Sequence, residues 1–462
     1  MNQSILSHDE EIIIAQCTPP GSGAIALLRI SGANSWNVVQ SMAQLASGKK
    51  LIDQQPHTIH TGWVVDQAGH HIDQVLFLLM RGPRTFTGQD TVEITSHNNP
   101  FIINAIIERA LACGARMAKE GEFSRRAVIN GKIDLLQAEA INELIHANTS
   151  VALKQSLAQI EGSLSSWSVY IEQTLLKALA YCQASFEFLD EEMEFGSQVR
   201  QIIQQLLDEI AAMEKTFNQQ QQIRQGIRIA ILGSVNAGKS SLFNALLAHE
   251  RAIVTEIPGT TRDTIEAGIY RDGNYLTLID TAGLRVTDDI IETQGIERSR
   301  KEAARADIII LVVDGSCSLS PQELAIYQTL LQEYAQKIIL VRNKTDLPSV
   351  DVQVGNGENT CIDCSCTKTQ HISDVEQAIE AKVNALLCQI DTPFLLNQRQ
   401  FNLIMSLKKK LNEIISMFKE PIQYELLAVH LNDALALISN LTGKSISEQG
   451  LDAVFREFCV GK

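Results

Sequence analysis

This sequence is short of several things, and each shortage removes a class of protein. No apolar run is long enough to span a bilayer, and the start carries no basic-then-apolar leader, which predicts a soluble, cytoplasmic chain with no membrane partner. Cysteine is sparse and odd in number: nine residues, at 17, 113, 182, 317, 361, 364, 366, 388 and 459, are scattered too widely for a disulfide framework. They are expected to be reduced thiols. Basic charge is also short, because 39 Lys and Arg face 54 Asp and Glu, for a net charge of −15. A protein that grips nucleic acid alone normally presents a basic surface to the phosphates. Any RNA substrate is therefore expected to be held largely through another chain.

What is present suffices for large cores. The 462 residues are 45% hydrophobic and 20% charged, a length that predicts about two to four domains. Residues 1–125 mix alternating apolar strings, Gln74 to Met80 and Thr91 to Thr95, with glycine-rich turns, the pattern of a small α+β module. Over residues 126–225 apolar positions such as Leu135, Leu136, Ala138, Ile141, Leu144 and Ile145 recur at helical spacing. The polar string Asn218 to Gln222 then separates this region from the apolar strand Ile227 to Leu232, a boundary good to a few residues because a glutamine run can also be helix surface. From 226 to 385 strands and helices alternate, including Leu276 to Ile279, Ile308 to Val313 and Ile338 to Val341, as a mostly parallel sheet requires. Asp272-Gly273-Asn274 predicts a hairpin adding one antiparallel strand. Helical spacing returns over 386–462, so the expected architecture is a helical domain split by an inserted α/β domain.

The inserted segment carries the chemistry. Gly233-Ser234-Val235-Asn236-Ala237-Gly238-Lys239-Ser240 has the form G-x-x-x-x-G-K-S between strand and helix, where backbone N–H groups and the helix N-terminus surround phosphates. Lys239 supplies a point charge and Ser240 a Mg²⁺ ligand. Asp280-Thr281-Ala282-Gly283 closes the next strand, with Asp280 placed to hold Mg²⁺ through water and the Gly283 amide to meet a γ-phosphate. Asn343-Lys344-Thr345-Asp346 closes another, where Asp346 can accept from guanine N1 and the exocyclic amine, a donor pair that adenine lacks. Ser365-Cys366 fits the weak motif that backs the guanine. These motifs in this order predict a P-loop GTPase. Thr261, in Gly259-Thr260-Thr261-Arg262-Asp263, is the expected second Mg²⁺ ligand. Leu284 stands where many small GTPases have their water-orienting glutamine, so another group must position water. Cys361, Cys364, Cys366 and His371 could form a metal cluster, but no second paired motif supports it.

Taken together with further short motifs, the sequence resembles the MnmE/TrmE family of tRNA modification GTPases along its whole length. The markers are Ala15-Gln16-Cys17-Thr18-Pro19-Pro20-Gly21, Leu28-Arg29-Ile30-Ser31-Gly32, Phe86-Thr87-Gly88-Gln89-Asp90, Gly121-Glu122-Phe123-Ser124, Asn130-Gly131-Lys132-Ile133-Asp134, the Gly259 to Asp263 switch, and Phe458-Cys459-Val460-Gly461-Lys462. The resemblance implies an N-terminal folate-binding and dimerising domain, a helical domain, and an inserted G domain activated by K⁺-dependent dimerisation. It also implies a flavoprotein partner of the MnmG type in a heterotetramer, and 5-formyl-tetrahydrofolate as one-carbon source for a carboxymethylaminomethyl-type group on C5 of the tRNA wobble uridine.

Carried over residue by residue, the resemblance assigns GTP contacts to Asn236, Ala237, Gly238, Lys239, Ser240, Ser241, Thr255, Glu256, Ile257, Pro258, Gly259, Thr260, Thr261, Asp280, Thr281, Ala282, Gly283, Asn343, Lys344, Asp346, Ser365 and Cys366. It assigns K⁺ to Asn236, Thr255, Ile257 and Thr260, the water-positioning role to Glu292, and folate to Arg29, Glu93, Lys132 and Lys462. Three departures stand out. His97-Asn98-Asn99 replaces the family's His-Gly-Gly, Ser234-Val235 replaces a common Arg-Pro, and Cys366 stands where alanine is usual. Cys459 reads either as a packed cysteine beside Phe455 and Phe458, the favoured reading, or as a thiol near the one-carbon unit. The competing functions are a ribosome-assembly GTPase, which normally appends a basic RNA-binding domain, and a folate-binding scaffold with negligible turnover.

Overall fold

The computed structural model describes residues 11–187, 195–248, 265–271, 273–280, 301–348, 350, 361–368, 371–387, 394–418 and 422–461. The chain divides into two compact units, one of Met1–Asn142, Gln159–Asp208 and Asn402–Lys462, the other of Glu143–Ala158 and Glu209–Phe401.

In the first unit, β1 (Ile13–Gln16), β2 (Ile25–Ser31), β3 (Ala43–Leu45), β4 (Thr58–Val65), β5 (His71–Met80), β6 (Thr91–His97) and β7 (Arg116–Met117) form one sheet in the order β3-β4-β5-β6-β2-β1-β7. Only the β1–β7 pair is parallel. The expected alternation sends Leu28, Ile30, Val75, Phe77, Leu79, Val92 and Ile94 to a core shared with Ile103, Ile106 and Ala110 of helix Pro100–Ala112. Because side chains alternate along a strand, Arg29 and Glu93 take the opposite face, and the register pairs them directly across β2 and β6. Helix Ser163–Glu187 packs along Tyr424–Thr442, burying Leu164, Ile171, Leu175 and Ala178 together with Leu427, Leu431, Ala434 and Ile438.

At Asn218 to Gln222 the helix-surface alternative holds, and the boundary falls a few residues later. Helix Phe195–Gln225 runs straight through this string, since glutamine is a good helix former, and stops at Gly226. Gly226 has φ +82°, and a Cβ there would lie 2.7 Å from the Tyr275 carbonyl oxygen, so the stop is fixed by backbone geometry.

In the second unit β8 (Ile227–Gly233), β9 (Ile265–Arg271), β10 (Asn274–Asp280), β11 (Ile308–Asp314), β12 (Ile338–Asn343) and β13 (Cys361–Asp363) form a sheet in the order β13-β12-β11-β8-β10-β9. All pairs are parallel except β9–β10, the predicted hairpin. Strand β8 shows why the sheet is covered on both sides. Its Ile229 and Ile231 pack with Leu242, Val375 and Ile379 of two helices on one face, and its Ala230 and Leu232 pack with Tyr327 and Leu330 on the other. The hairpin turn is tied to the segment before Ser150, through Ser150 N donating to Gly273 O at 2.7 Å and Tyr275 N donating to Asn148 O at 2.7 Å. Among the described residues, no helix is long and apolar enough to cross a membrane.

Candidate functional site

The carboxyl ends of β8, β10, β12 and β13 carry the nucleotide motifs, the edge where ligands bind in open α/β sheets. After β8 the chain turns through Asn236 (φ +64°) and Gly238 (φ +94°) into helix Lys239–Ala248. Any side chain at Gly238 would overlap Asn343, whose Nδ2 lies 2.1 Å from the Cβ position. Lys239 is buried, and its Nζ donates to Gly233 O at 3.2 Å and Ser234 O at 2.8 Å. Burial pushes its amine below the usual lysine range, and the nearby Asp280 carboxylate partly offsets this. The loop thus presents backbone N–H groups, a helix N-terminus and an ammonium to one volume, an arrangement suited to phosphates.

One residue that holds this loop has no motif. Tyr327, on helix Pro321–Glu333, accepts from Ser234 N at 2.7 Å and donates to Val312 O at 2.7 Å, tying the first turn of the loop to β11. Its phenol is fully buried, which pushes its pKa up to about 12. In sequence it is one apolar-face residue of an amphipathic helix and carries no distinguishing signal.

Beyond the loop, Ser240 Oγ donates to Asp280 Oδ2 at 2.7 Å, while Asp280 Oδ1 is buried without a hydrogen-bond partner. A hydroxyl oxygen beside an unsatisfied carboxylate oxygen is a hard donor set that fits Mg²⁺. The β10–β8 register places Asp280 opposite Ile231, two residues before the loop begins.

One side chain links the G-x-x-x-x-G-K-S loop to the loop after β13. Asn343 Nδ2 donates to Ala237 O at 2.9 Å, and Asn343 Oδ1 accepts from Cys366 N at 3.3 Å and from the Cys364 thiol at 3.7 Å. Asp346 Oδ1 accepts from Ser365 Oγ at 2.7 Å, which lowers its pKa and keeps it an acceptor. Lys344, at φ +63°, reaches Asp314 Oδ2 at 2.6 Å. Asp314 was not singled out from sequence, although an acid closing a buried strand is a usable signal.

In the first unit, Arg29 Nε donates to Glu93 Oε1 at 2.8 Å, and the guanidinium lies 5.9 Å from the Phe86 ring centroid and 5.5 Å from that of Phe123. Its Nη1 also donates to Gly461 O at 3.5 Å, and the Cys17 thiol donates to the same carbonyl at 3.2 Å. A partly exposed ion pair with aromatic flanks fits a flat, charged ligand such as a folate. Lys132 is not in this contact set, since its Nζ donates to Pro83 O at 2.9 Å. The His97-Asn98-Asn99 departure has structural roles. Asn98 Nδ2 donates to Gly21 O at 2.8 Å, and Asn99 caps helix Pro100–Ala112 by accepting from Phe101 N. Neither asparagine is among the described residues with positive φ.

Cys459 is exposed, so the packed reading gives way, while Phe455 and Phe458 are buried beside it. Among the described residues no three His, Cys, Asp or Glu side chains are grouped to hold a metal ion. Thr255, Glu256, Ile257, Pro258, Gly259, Thr260, Thr261, Thr281, Ala282, Gly283, Glu292 and Lys462 lie outside the described residues.

Known proteins resemble this chain along nearly its whole length. The family model described as the MnmE helical domain matches residues 135–459, and that of the GTP-binding protein TrmE N-terminus matches residues 12–132. The tRNA modification GTPase MnmE of Streptococcus mutans is 35% identical over 99% of this chain and 100% of its own. That of Bacillus subtilis is 34% identical over 98% and 100%. Among solved structures, the G domain of the Thermotoga maritima FeoB iron transporter covers 34% of this chain and 98% of its own at 24% identity, with a TM-score of 0.26. On the strength of the full-length relatives and the two family models, this chain belongs to the MnmE/TrmE family of tRNA modification GTPases.

Proposed function

We propose that this chain is a K⁺-dependent GTPase that acts in the cytoplasm as a homodimer. With an MnmG-type flavoprotein it would modify C5 of the tRNA wobble uridine to a carboxymethylaminomethyl-type group, taking the one-carbon unit from 5-formyl-tetrahydrofolate. The observation that carries the GTP part is the position of Asn343, which holds the phosphate loop through Ala237 and the guanine loop through Cys366.

On this reading Asp346 accepts from guanine N1–H and the exocyclic amine, and Lys239 leaves the Ser234 carbonyl to meet the β- and γ-phosphate oxygens. Ser240 and Thr261 would hold Mg²⁺, which neutralises charge on the β- and γ-oxygens, with Asp280 as an outer partner. Asn236, Thr255, Ile257 and Thr260 would hold K⁺, a positive charge beside the β–γ bridge where no arginine is assured. Glu292 orients the attacking water in place of the glutamine absent at Leu284. In the N-terminal domain Arg29 faces a ligand carboxylate or pterin edge with Glu93 as acceptor, and Lys132 and Lys462 supply further cations.

Steady-state turnover in K⁺ and in Na⁺, for wild type and Asn236→Ala, tests the mechanism. Wild type is expected to be fast only in K⁺, and Asn236→Ala to lose the distinction. Equal wild-type rates in the two salts would sink it.

A further inference from the structure

We propose that the turn Asp314-Gly315-Ser316, at the end of β11, fixes the guanine-reading loop, and that Asp314 is a positioning residue whose carboxylate holds Lys344 as the platform for the base. This rests on the guanine site above and adds to it a turn that lies outside the nucleotide motifs.

Three bonds tie the turn to that loop. Gly315 N donates to Asn343 O at 2.9 Å, Val350 N donates to Gly315 O at 3.0 Å, and Lys344 Nζ donates to Asp314 Oδ2 at 2.6 Å. The segment that carries Asp346 is thus held at its first two residues and again at Val350. The carboxylate is itself aimed. Its other oxygen, Oδ1, accepts from Ser316 N at 2.9 Å and from Ser316 Oγ at 2.6 Å, which leaves Oδ2 for Lys344. Asp314 is buried, and burial works to raise its pKa, but the hydrogen bonds from Lys344 and Ser316 outweigh it and hold the carboxyl below its usual range. A hydrogen bond between two ionised groups is a strong and directional anchor.

What the anchor does follows from the register. Asp314 of β11 lies opposite Asn343 of β12, and Lys344 is the next residue. Its side chain therefore crosses from one strand end to that of its neighbour, about 4.8 Å away, along the carboxyl edge where the nucleotide motifs gather. With its ammonium paired to Asp314, Lys344 offers a ligand the flank of its methylene stem, an apolar surface suited to the flat face of a purine. Lys344 has φ +63°, a backbone conformation that a residue other than glycine keeps only where its surroundings over-determine it. The bonds from the turn supply that constraint.

The experiment measures GDP affinity of the full-length chain for wild type, Asp314→Asn, Lys344→Met and the double variant, by titration with a fluorescent GDP. Magnesium pyrophosphate, which has no base, serves as a competitor in parallel. Each single change is expected to weaken GDP about tenfold, and the double variant no further, because the two side chains act as one unit. The pyrophosphate inhibition constant should stay at its wild-type value throughout. Additive losses of about a hundredfold in the double variant would overturn the proposal, since the two residues would then act separately. So would a loss for pyrophosphate equal to that for GDP, the mark of a generally disordered site. If Asp314→Asn did not fold, Ser316→Ala would carry the test, because it keeps the ion pair and the backbone donor and loses only one aiming bond. It is expected to weaken GDP about two- to threefold, and wild-type affinity there would refute the aiming of the carboxylate. A wild type that failed to bind GDP would instead refute the guanine site, a result distinct from all of these.

Discussion

The nucleotide end of the second unit and the Arg29 cluster of the first are built in opposite ways. The phosphate loop is one stretch of eight residues whose backbone does most of the work, so a short motif specifies it and positive φ at Asn236 and Gly238 follows from the turn. The Arg29 cluster is made of side chains and one carbonyl from β2, β6, the Phe86 turn, helix Glu122–Ile129 and the Gly461 end of the chain. No local pattern could announce it. What differs is the sequence distance over which a site must be assembled, and this decides whether it can be read without relatives.

Four substitutions sharpen that contrast. The largest effect is expected at Glu292→Ala, which should bind GTP normally and lower turnover by about a hundredfold or more, as loss of a water-positioning group does. Single-turnover hydrolysis decides it, and normal turnover would remove Glu292 from the mechanism. Next is Asp346→Asn, expected to weaken GTP about 10- to 100-fold and to favour xanthine nucleotides, since the acceptor pair is reversed in part. Unchanged GTP affinity in a fluorescence titration would refute the guanine assignment.

Arg29→Ala should weaken 5-formyl-tetrahydrofolate binding about tenfold by calorimetry and leave GTP binding alone, because the two sites share no residue. Equal folate affinity would take Arg29 out of that site. The smallest effect is expected at Tyr327→Phe, which leaves the Ser234 amide and Val312 carbonyl without their shared partner at a cost of about 1–3 kcal/mol. A chemical-denaturation curve coinciding with wild type would show that the tie contributes nothing.

Much of the nucleotide site was legible, and the reasons are local. Gly238, Lys239, Ser240, Asp280, Asn343 and Asp346 each lie at or within a few residues of a strand end or a helix start, and the sheet brings those ends together. Tyr327 was not legible, since from sequence it is one more apolar position in a helix, and only the fold places its hydroxyl against the loop. The Asn218 to Gln222 string reads either as a break or as helix surface, and the helix forms because glutamine propagates it and a single glycine sets the stop a few residues on. Asn98 and Asn99 depart from the family's His-Gly-Gly, and one straps the Gly21 loop while the other starts a helix, roles that need the three-dimensional neighbours.

The tie between the hairpin turn and residues Asn148 to Ser150 bears on how this chain tolerates changes in length. A hairpin turn is ordinarily among the freest places to insert residues, because it touches only solvent. Here Gly273 and Tyr275 are each bonded to another segment, and the paired strands between that turn and Asp280 keep one register over seven positions. A single added residue in β10 would flip every later side chain to the other face, carrying Asp280 away from Ser240. This hairpin is therefore expected to keep its length across evolution and to reject engineered insertions that an ordinary exposed turn would accept.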